Sequence, residues 1–346
     1  MSNSSPAADL VNCSIAYLGS LVKLGHNHME KLVKQISDGR SKLRRLRDPD
    51  DRFWNNKPRW QSGLVAKIAN SLAQNDRLSV ETLSRIEYAT ARILHQPLSP
   101  SAWGRMTFND KVMFRRLRVH DPKFATFTDK LRTRDYVNQR LGQGCTPDLF
   151  RVSKDANAFS DLVGPFALKA NHGSGWVIIV ETARTLTARE LESAKSWVSI
   201  DYGRSTREWA YALARPLLYA EELLTPFPPP DYKIHTFNGV PRMIQVDTDR
   251  FGDHRRILMR PDWTPLGGLG YPLPCGGTPE PPNLKGMLAW ASILAEGMDY
   301  LRIDLYDMID RILVGELTCY PGAGSERFRP SSLDVWLGRN WTARPS

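Results

Sequence analysis

A lysine followed by a loop that contains glycine is the first segment with recognisable chemical potential. Lys169 ends a short apolar run, and His172-Gly173-Ser174-Gly175 follows it closely. Glycines let backbone N–H groups approach phosphate oxygens, and the lysine ammonium adds a positive charge. The chain contains no GxxxxGK[ST] motif, so this is not a Walker A loop. The segment indicates either phosphate binding or a hairpin loop whose glycines serve only the turn.

Two carboxylates on neighbouring predicted strands form a second candidate. We expect a turn near Asp310 to join the strands that carry Asp304 and Glu316 as an antiparallel pair. Carboxylates that lie side by side repel each other unless a cation lies between them. Magnesium that bridges carboxylates and ATP phosphates is a natural occupant. The alternative is a pair of exposed carboxylates that form ion pairs with Arg302 or Arg311.

The segment from Asp231 to Arg256 is rich in charged side chains. Its cations could clamp a transferring phosphoryl group or bind an acidic substrate. The alternative is a solvated basic face, and we expect about half of these residues to belong to one. The residues concerned are Asp231, Lys233, Arg242, Asp247, Arg250, His254, Arg255 and Arg256.

Hydrophobic periodicity predicts a helical segment at the start of the chain. Apolar residues from Ile15 to Ile36 recur at helical spacing, and residues 62–96 read as two further helices. Pro97 and Pro100 then mark a boundary. Residues 1–100 are therefore expected to form a helical N-terminal extension, which could serve as a homodimerisation or partner-docking module.

After this boundary the pattern changes from helices to a mixture of helices and strands. Residues 105–142 are predicted to be helical, and an Asn238-Gly239 turn between alternating runs is a strong hairpin signal. Residues 260–283 are rich in Pro and Gly and are predicted to form a loop. The remaining predicted strands are 166–169, 177–180, 217–224, 233–237, 242–247, 300–306 and 312–318, and the predicted helices are 187–199, 205–214 and 284–297.

Length, composition and charge limit the class of protein. The chain has 346 residues, enough for two lobes with their own cores, and its composition is that of a globular protein. The net charge of +10 suits polyanions such as ATP, nucleic acid, anionic lipid or acidic polysaccharide. The sequence contains no CxxC pair and no run of about 18 apolar residues, and a signal peptide is not expected. These features favour a cytoplasmic location with free thiols.

Taken together, the segments resemble the TupA-like ATP-grasp family, which is linked to teichuronopeptide and surface-polysaccharide genes. The resemblance covers about residues 100–335 in the expected order. It rests on residues 106–111, 129–137, 166–176, 231–239, 244–256, 302–318 and 321–324. It implies an α+β ATP-grasp fold with two lobes that clasp ATP, over residues 101–225 and 226–346, after the helical extension.

The resemblance also implies roles for single residues. Lys169 would contact the α- and β-phosphates, and Lys130 would be the earlier nucleotide lysine. Residues 172–175 would form a flexible loop over the phosphates. Residues Glu221, Glu222, Leu223 and Leu224 would form the adenine hinge, and Lys233 would belong to the nucleotide site. Asp304 and Glu316 would hold magnesium, with Thr318 at a position where many ATP-grasp enzymes place an asparagine ligand. Arg255, Arg256 and Arg302 would form the catalytic set, in which Arg255 or Arg256 stabilises the tetrahedral oxyanion.

The implied function is an ADP-forming ligase that joins a carboxylate to an amine through an acyl phosphate, using ATP and Mg²⁺, in surface-polysaccharide or peptide natural-product biosynthesis. A kinase that phosphorylates a hydroxyl would need the same metal and lysine roles and stays an alternative. Nucleic-acid binding through Arg40 to Arg47, with Trp54 and Trp60 available for stacking, is a weaker alternative from a different class.

Overall fold

The computed structural model describes residues 100–225, 228–248, 252–274 and 278–344. The predicted helices before Pro97, the proposed dimerisation module and the arginines at 40–47 lie outside the described residues. The described chain begins with a 3-10 helix over Pro100–Arg105. No helix in the described ranges is long and apolar enough to cross a membrane.

Three helices occupy the region that the sequence predicts to be helical. They are α1 (Phe108–Arg118), α2 (Lys123–Thr128) and α3 (Lys130–Leu141). Thr107 begins α1 with a capping box, because its hydroxyl accepts from the Asp110 amide while the Asp110 carboxylate accepts from the Thr107 amide. Pro122 precedes α2, where a proline at a helix start costs no hydrogen bond. The predicted helical region is therefore confirmed but divided.

A four-stranded antiparallel sheet follows. Its strands are β1 (Leu149–Ser153), β2 (Phe166–Ala170), β3 (Val177–Val180) and β4 (Leu218–Glu221), in the order β1-β4-β2-β3. Between β3 and β4 the chain forms α4 (Ala188–Val198), α5 (Tyr202–Thr206) and a 3-10 helix (Trp209–Leu213). An apolar core that includes Phe159, Phe166, Leu168 and Leu218 packs beneath the sheet, where α4 covers β2.

A seven-stranded sheet makes up most of the remainder. Its order is β10-β9-β5-β6-β7-β8-β11. The strands are β5 (Asp231–Phe237), β6 (Val240–Thr248), β7 (Arg255–Met259), β8 (Pro265–Leu269), β9 (Tyr300–Asp307), β10 (Ile312–Thr318) and β11 (Phe328–Arg329). Helix α6 (Leu284–Leu294) packs against β5, β6 and β9, and α7 (Ser332–Asn340) packs against α1.

The predicted hairpin at Asn238-Gly239 is confirmed. Asn238 and Gly239 both adopt left-handed φ angles, 52° and 77°, as a two-residue hairpin turn requires. The predicted loop at 260–283 is wrong in one part, because β8 lies inside it. Gly267 is required there, since a Cβ at that position would lie 2.2 Å from the Arg329 carbonyl oxygen. β8 thus forms where a glycine allows two backbones to lie close together, and it lacks the alternating apolar and polar side chains that would have predicted a strand.

Along β5, one face of the large sheet changes from charged to aromatic side chains. Asp231 and Lys233 are charged, whereas His235 and Phe237 on the same face reach an aromatic cluster. In that cluster the Phe108 ring centroid lies 5.1 Å from that of Tyr300 and 6.0 Å from that of Phe237. The aromatic half anchors α1 to the sheet, and the charged half faces the site described next.

Candidate functional site

A cleft of about 280 Å³ lies between the two sheets. One wall consists of β2, β3 and β4, and the opposite wall includes side chains of β9 and β10. Many of the residues that the sequence singled out line this cleft. They are Lys130, Lys169, Gly173, Ser174, Gly175, Glu221, Glu222, Leu223, Leu224, Asp304 and Glu316.

Strand alternation explains which residues of the smaller sheet face the cleft. Lys169 pairs with Val177 on one side and Tyr219 on the other, and all three line the cleft. The next row toward the far end joins Ala167 to Ile179 and to Glu221. Side chains directly opposite on antiparallel strands share a face. The wall is therefore apolar at Ala167, Val177 and Ile179, and charged at Lys169 and Glu221.

The charge of Lys169 is balanced within the cleft. Its Nζ donates to Oε1 of Glu221 at 2.6 Å, and Oε2 of Glu221 accepts from Nη1 of Arg134 at 3.1 Å. Glu221 is 5% exposed and so depends on both cations. Since a buried carboxylate with two basic partners keeps one if the other moves away, Lys169 can leave Glu221 for a ligand.

Lys130 reaches the glycine loop from the first turn of α3. Its Nζ donates to the carbonyl oxygen of Gly173. Burial lowers the pKa of Lys130, an effect that Glu316 opposes and Lys169 reinforces. Two ammonium groups and the loop therefore converge at one end of the cleft. This is a place where an anion would relieve the repulsion between the lysines.

A buried amide and a buried carboxylate fix the start of α3 against the loop. Asn171 accepts from the Leu131 amide at 2.8 Å and donates to the Arg215 carbonyl at 2.9 Å. Asp129 caps the helix by accepting from the Arg132 amide, and it accepts from Nε of Arg215 at 2.8 Å. Burial alone raises the pKa of Asp129, but hydrogen bonds from Arg215 and the Arg132 amide outweigh it and lower the pKa to about 2.

Aromatic rings hold the glycine loop in place. A Cβ at Gly173 would lie 2.4 Å from the ring of Trp176, so a larger residue there would require the ring to move. The Trp176 ring is stacked at 6.4 Å on Trp197 and contacts Tyr202 edge-on at 5.4 Å. His172 is buried, with Nε2 donating to the Trp197 carbonyl at 3.0 Å, and burial lowers its pKa. His172 thus anchors the loop from behind rather than lining the cleft.

The opposite wall carries the predicted carboxylate pair. Asp304 and Glu316 are directly opposite on β9 and β10, next to a bulge between Val314 and Glu316. Asp304 is 3% exposed and accepts from Nε and Nη2 of Arg302, both at 2.7 Å. The predicted alternative of an ion pair with Arg302 is thus present at Asp304. Nη2 of Arg302 also donates to Oγ1 of Thr318 at 3.0 Å.

Lys233 lies behind this wall, within a buried group of aspartates. Its Nζ donates to Asp304 at 2.9 Å and to Asp231, and it lies 3.9 Å from Asp247. Burial lowers the pKa of Lys233, but Asp231 and Asp304 outweigh burial and raise it. Lys233 is 5% exposed and does not line the cleft. It neutralises the carboxylates from behind.

The match to the sequence profile of the TupA-like ATP-grasp family covers residues 110–342. The chain belongs to this family. The predicted recognition and the predicted α+β ATP-grasp fold are thereby confirmed. No curated protein matches the chain.

Solved structures of ATP-grasp ligases are similar to the chain at low identity. The ligase PsnB in complex with its minimal precursor is 15% identical over 64% of this chain and 61% of that chain, with a TM-score of 0.35. D-alanine–D-alanine ligase from Bacillus anthracis is 17% identical over 62% and 64%, with a TM-score of 0.34. L-amino acid ligase from Bacillus licheniformis is 14% identical over 75% and 55%, with a TM-score of 0.37. The chain therefore spans about three fifths of the length of the first of these.

The two arginines on β7 lie apart from the ATP-grasp cleft. Arg256 donates from Nη2 to Asp247 at 3.0 Å and places its guanidinium 4.4 Å from the Tyr271 ring centroid. Arg255 points to the other face of the strand and donates to the Leu273 carbonyl at 3.0 Å. Neither is among the residues that line the cleft. Their roles in oxyanion stabilisation stay predictions, as do those of Arg302 and the other assigned residues.

Several lining residues of the ATP-grasp cleft were not predicted. Val177 and Ile179 belong to a predicted strand, and their neighbours Ala167 and Tyr219 follow from strand alternation once the strand pairs are known. Trp176 and Tyr306 also line the cleft, as does Asp231 of the predicted charged segment. For Trp176 and Tyr306, no signal in the sequence separates a lining residue from a core residue.

Proposed function

We propose that the protein is an ATP- and Mg²⁺-dependent, ADP-forming carboxylate–amine ligase. One observation carries the proposal: two lysines and a glycine loop on one wall of the cleft face two carboxylates on the other. This is the distribution of charge that a nucleoside triphosphate and its magnesium require. Family membership supports the same reading, since acyl phosphate chemistry is the common reaction of ATP-grasp ligases.

The two ends of the cleft suit the two ends of ATP. Ala167, Val177 and Ile179 offer a flat apolar wall for a base, next to backbone groups of residues 221–224. Lys130, Lys169 and the loop at 172–175 lie toward Glu316 and would receive the phosphates. Lys169 would exchange Glu221 for phosphate oxygens. Glu221 would then accept from Arg134 and from the ribose.

The carboxylates of the second wall fit a magnesium ion shared with phosphates. Mg²⁺ is usually held by one or two carboxylates, substrate phosphates and water, not by a cage of protein ligands. Glu316 lines the cleft and Asp304 stands opposite it, and the described residues contain no cluster of three acidic, His or Cys ligands. Asp304 accepts three hydrogen bonds from Arg302 and Lys233, which leaves one of its roughly four lone-pair sites for a metal. When bound, the ion would neutralise the charge on the γ-phosphoryl group.

The reaction would proceed in two displacements. First a substrate carboxylate oxygen attacks the γ-phosphorus, the bond from that phosphorus to the ADP oxygen breaks, and ADP leaves. Then the amine, as the neutral free base, attacks the acyl carbon through its nitrogen, the carbon–oxygen bond to phosphate breaks, and the nitrogen passes one proton to the departing phosphate. Lys130 and Lys169 would orient the phosphates and offset their charge during the first displacement. An acidic peptide or polymer from surface-polysaccharide or natural-product biosynthesis would suit the basic chain.

The product mixture tests this proposal. The purified protein is incubated with ATP and Mg²⁺, with each of the common amino acids in turn and with hydroxylamine as a nucleophile that traps acyl phosphates. We expect ADP, phosphate and a hydroxamate, detected by mass spectrometry. AMP with pyrophosphate would exclude this mechanism. A stable phosphoester with no hydroxamate and no free phosphate would instead establish the kinase alternative.

A further inference from the structure

An aromatic side chain of the large sheet forms part of the cleft surface. Tyr306 lies on β9 and lines the cleft, and among the described lining residues it is the only aromatic one on the strands of this sheet. It follows Asp304 by two residues, so both side chains project from the same face of β9. Two residues of a strand span about 7 Å. Tyr306 therefore faces a part of the cleft that lies beyond the carboxylate pair.

Contacts beyond the end of β9 place Tyr306 at the hinge end of the cleft. The turn after β9 carries Arg311, whose Nη2 donates to Oε1 of Glu222, the first residue after β4. On β10, the Val314 amide donates to the Cys145 carbonyl at 2.8 Å, in the segment that leads into β1. β9 therefore runs from the carboxylate end of the cleft toward the hinge, and Tyr306 lies near its hinge end.

The opposite wall is aliphatic at the same end. On the smaller sheet, Ala167 pairs with Ile179 on one side and with Glu221 on the other. Glu221 is the last residue of β4 and directly precedes the hinge, so this row lies one step nearer the hinge than the row of Lys169. A flat group at the hinge end would therefore contact Ala167 and Ile179 on one side and the ring of Tyr306 on the other.

A glycine on β10 leaves room for the tyrosine ring. Gly315 lies in the bulge between Val314 and Glu316 and lines the cleft. A Cβ at Gly315 would lie 2.6 Å from Cε2 of Tyr306 and 3.2 Å from its Cζ. The φ angle of Gly315 lies outside the left-handed region, so the ring rather than the backbone conformation requires a small residue here. The outer end of the ring thus occupies the space that a side chain at position 315 would fill.

We infer that Tyr306 stacks on the nucleobase from the side of the large sheet, in a space that Gly315 keeps open for its ring. This inference rests on the proposed function and adds a specificity-determining residue to it. Stacking on an aromatic ring needs no hydrogen bond and depends on the area of the two ring faces. Tyr306 would therefore favour the larger purine ring over a pyrimidine, while backbone groups of residues 221–224 contact the edge of the base.

Binding of two probes to the full-length protein tests the inference without knowledge of the acid and amine substrates. The probes are the non-hydrolysable analogue AMPPNP and inorganic tripolyphosphate, which carries phosphates but no base, and calorimetry in the presence of Mg²⁺ gives both affinities. We expect Tyr306→Ala to weaken AMPPNP binding at least about tenfold and to change tripolyphosphate binding by less than about twofold. Tyr306→Phe keeps the ring and should retain AMPPNP affinity within about threefold.

Two further variants separate stacking from packing. Gly315→Ala leaves the tyrosine in place but displaces its ring, so it should weaken AMPPNP binding and spare tripolyphosphate binding. Tyr306→Leu keeps an apolar side chain without a ring. In ligand-observed NMR, it should abolish the part of the upfield shift of the adenine ring protons that the tyrosine ring causes in the wild type. Tyr271→Ala is the matched control, because this tyrosine is 43% exposed and does not line the cleft, and it should change neither affinity.

The outcomes distinguish the inference from the proposed function. Equal AMPPNP affinity of the wild type and Tyr306→Ala overturns the inference. An equal loss of AMPPNP and tripolyphosphate affinity in Tyr306→Ala also overturns it, because the tyrosine would then act through the fold or the phosphate end. If the wild type does not bind AMPPNP, the proposed function fails, and the inference fails with it.

Discussion

Replacing Asp129 by asparagine should remove the negative charge of this side chain and keep its role as the N-cap of α3, the helix that begins at Lys130. Asp129 is fully buried and accepts from both the Arg132 amide and the Arg215 guanidinium. Asparagine caps helices about as well as aspartate does, so the bond from the Arg132 amide should survive. The charge would be lost. Arg215 keeps a side chain that is 44% exposed and would be solvated instead of stranded.

The pKa of Asp129 gives the stabilisation that its charge contributes to the fold. A fall in this pKa from 3.8 to about 2 corresponds to about 2 kcal/mol, since a pKa difference of one is worth about 1.36 kcal/mol. The pKa of the folded protein lies below that of the unfolded chain. The stabilisation is therefore complete above the unfolded value and is lost as the pH falls through 3.8 toward 2. About half of it should remain near pH 3.

Urea denaturation at pH 7 and at pH 3 measures this contribution. We expect Asp129→Asn to lower the free energy of unfolding by about 2 kcal/mol at pH 7 and by about 1 kcal/mol at pH 3. Asp135→Asn is the control, because Asp135 is exposed on the same helix. A loss that is the same at both pH values would show that the charge of Asp129 does not stabilise the fold.

Three further substitutions test the cleft itself. Lys169→Met should weaken ATP binding at least about tenfold in calorimetry. The fold should stay intact, since Glu221 keeps Arg134 as a basic partner. Unchanged ATP affinity would show that Lys169 does not bind phosphate. Glu316→Gln should lower turnover steeply and raise the magnesium concentration that is required, whereas wild-type magnesium dependence would make the carboxylate structural. Gly173→Ala should displace Trp176 and change its fluorescence response to ATP, because the added methyl would lie 2.4 Å from the ring; an unchanged response would mean that the loop adapts freely.

Local signals predicted the elements that are made by neighbouring segments. The hairpin of β5 and β6 follows from an Asn-Gly turn, and that of β9 and β10 from two alternating runs a few residues apart. Lys169, Asp304 and Glu316 could therefore be placed on the correct strands from the sequence alone. Their side chains line the cleft because the period of a strand is two residues and each strand has one buried face.

Pairing between distant segments was beyond the reach of local pattern. β5 lies beside β9, about 70 residues later in the chain, and this register sets Lys233 opposite Asp304. The resemblance to the ATP-grasp family implies a place for Lys233 in the nucleotide site. Only the register shows that its ammonium is already surrounded by Asp231 and Asp304. Its effect on the nucleotide would be indirect, through the charge of the carboxylate wall.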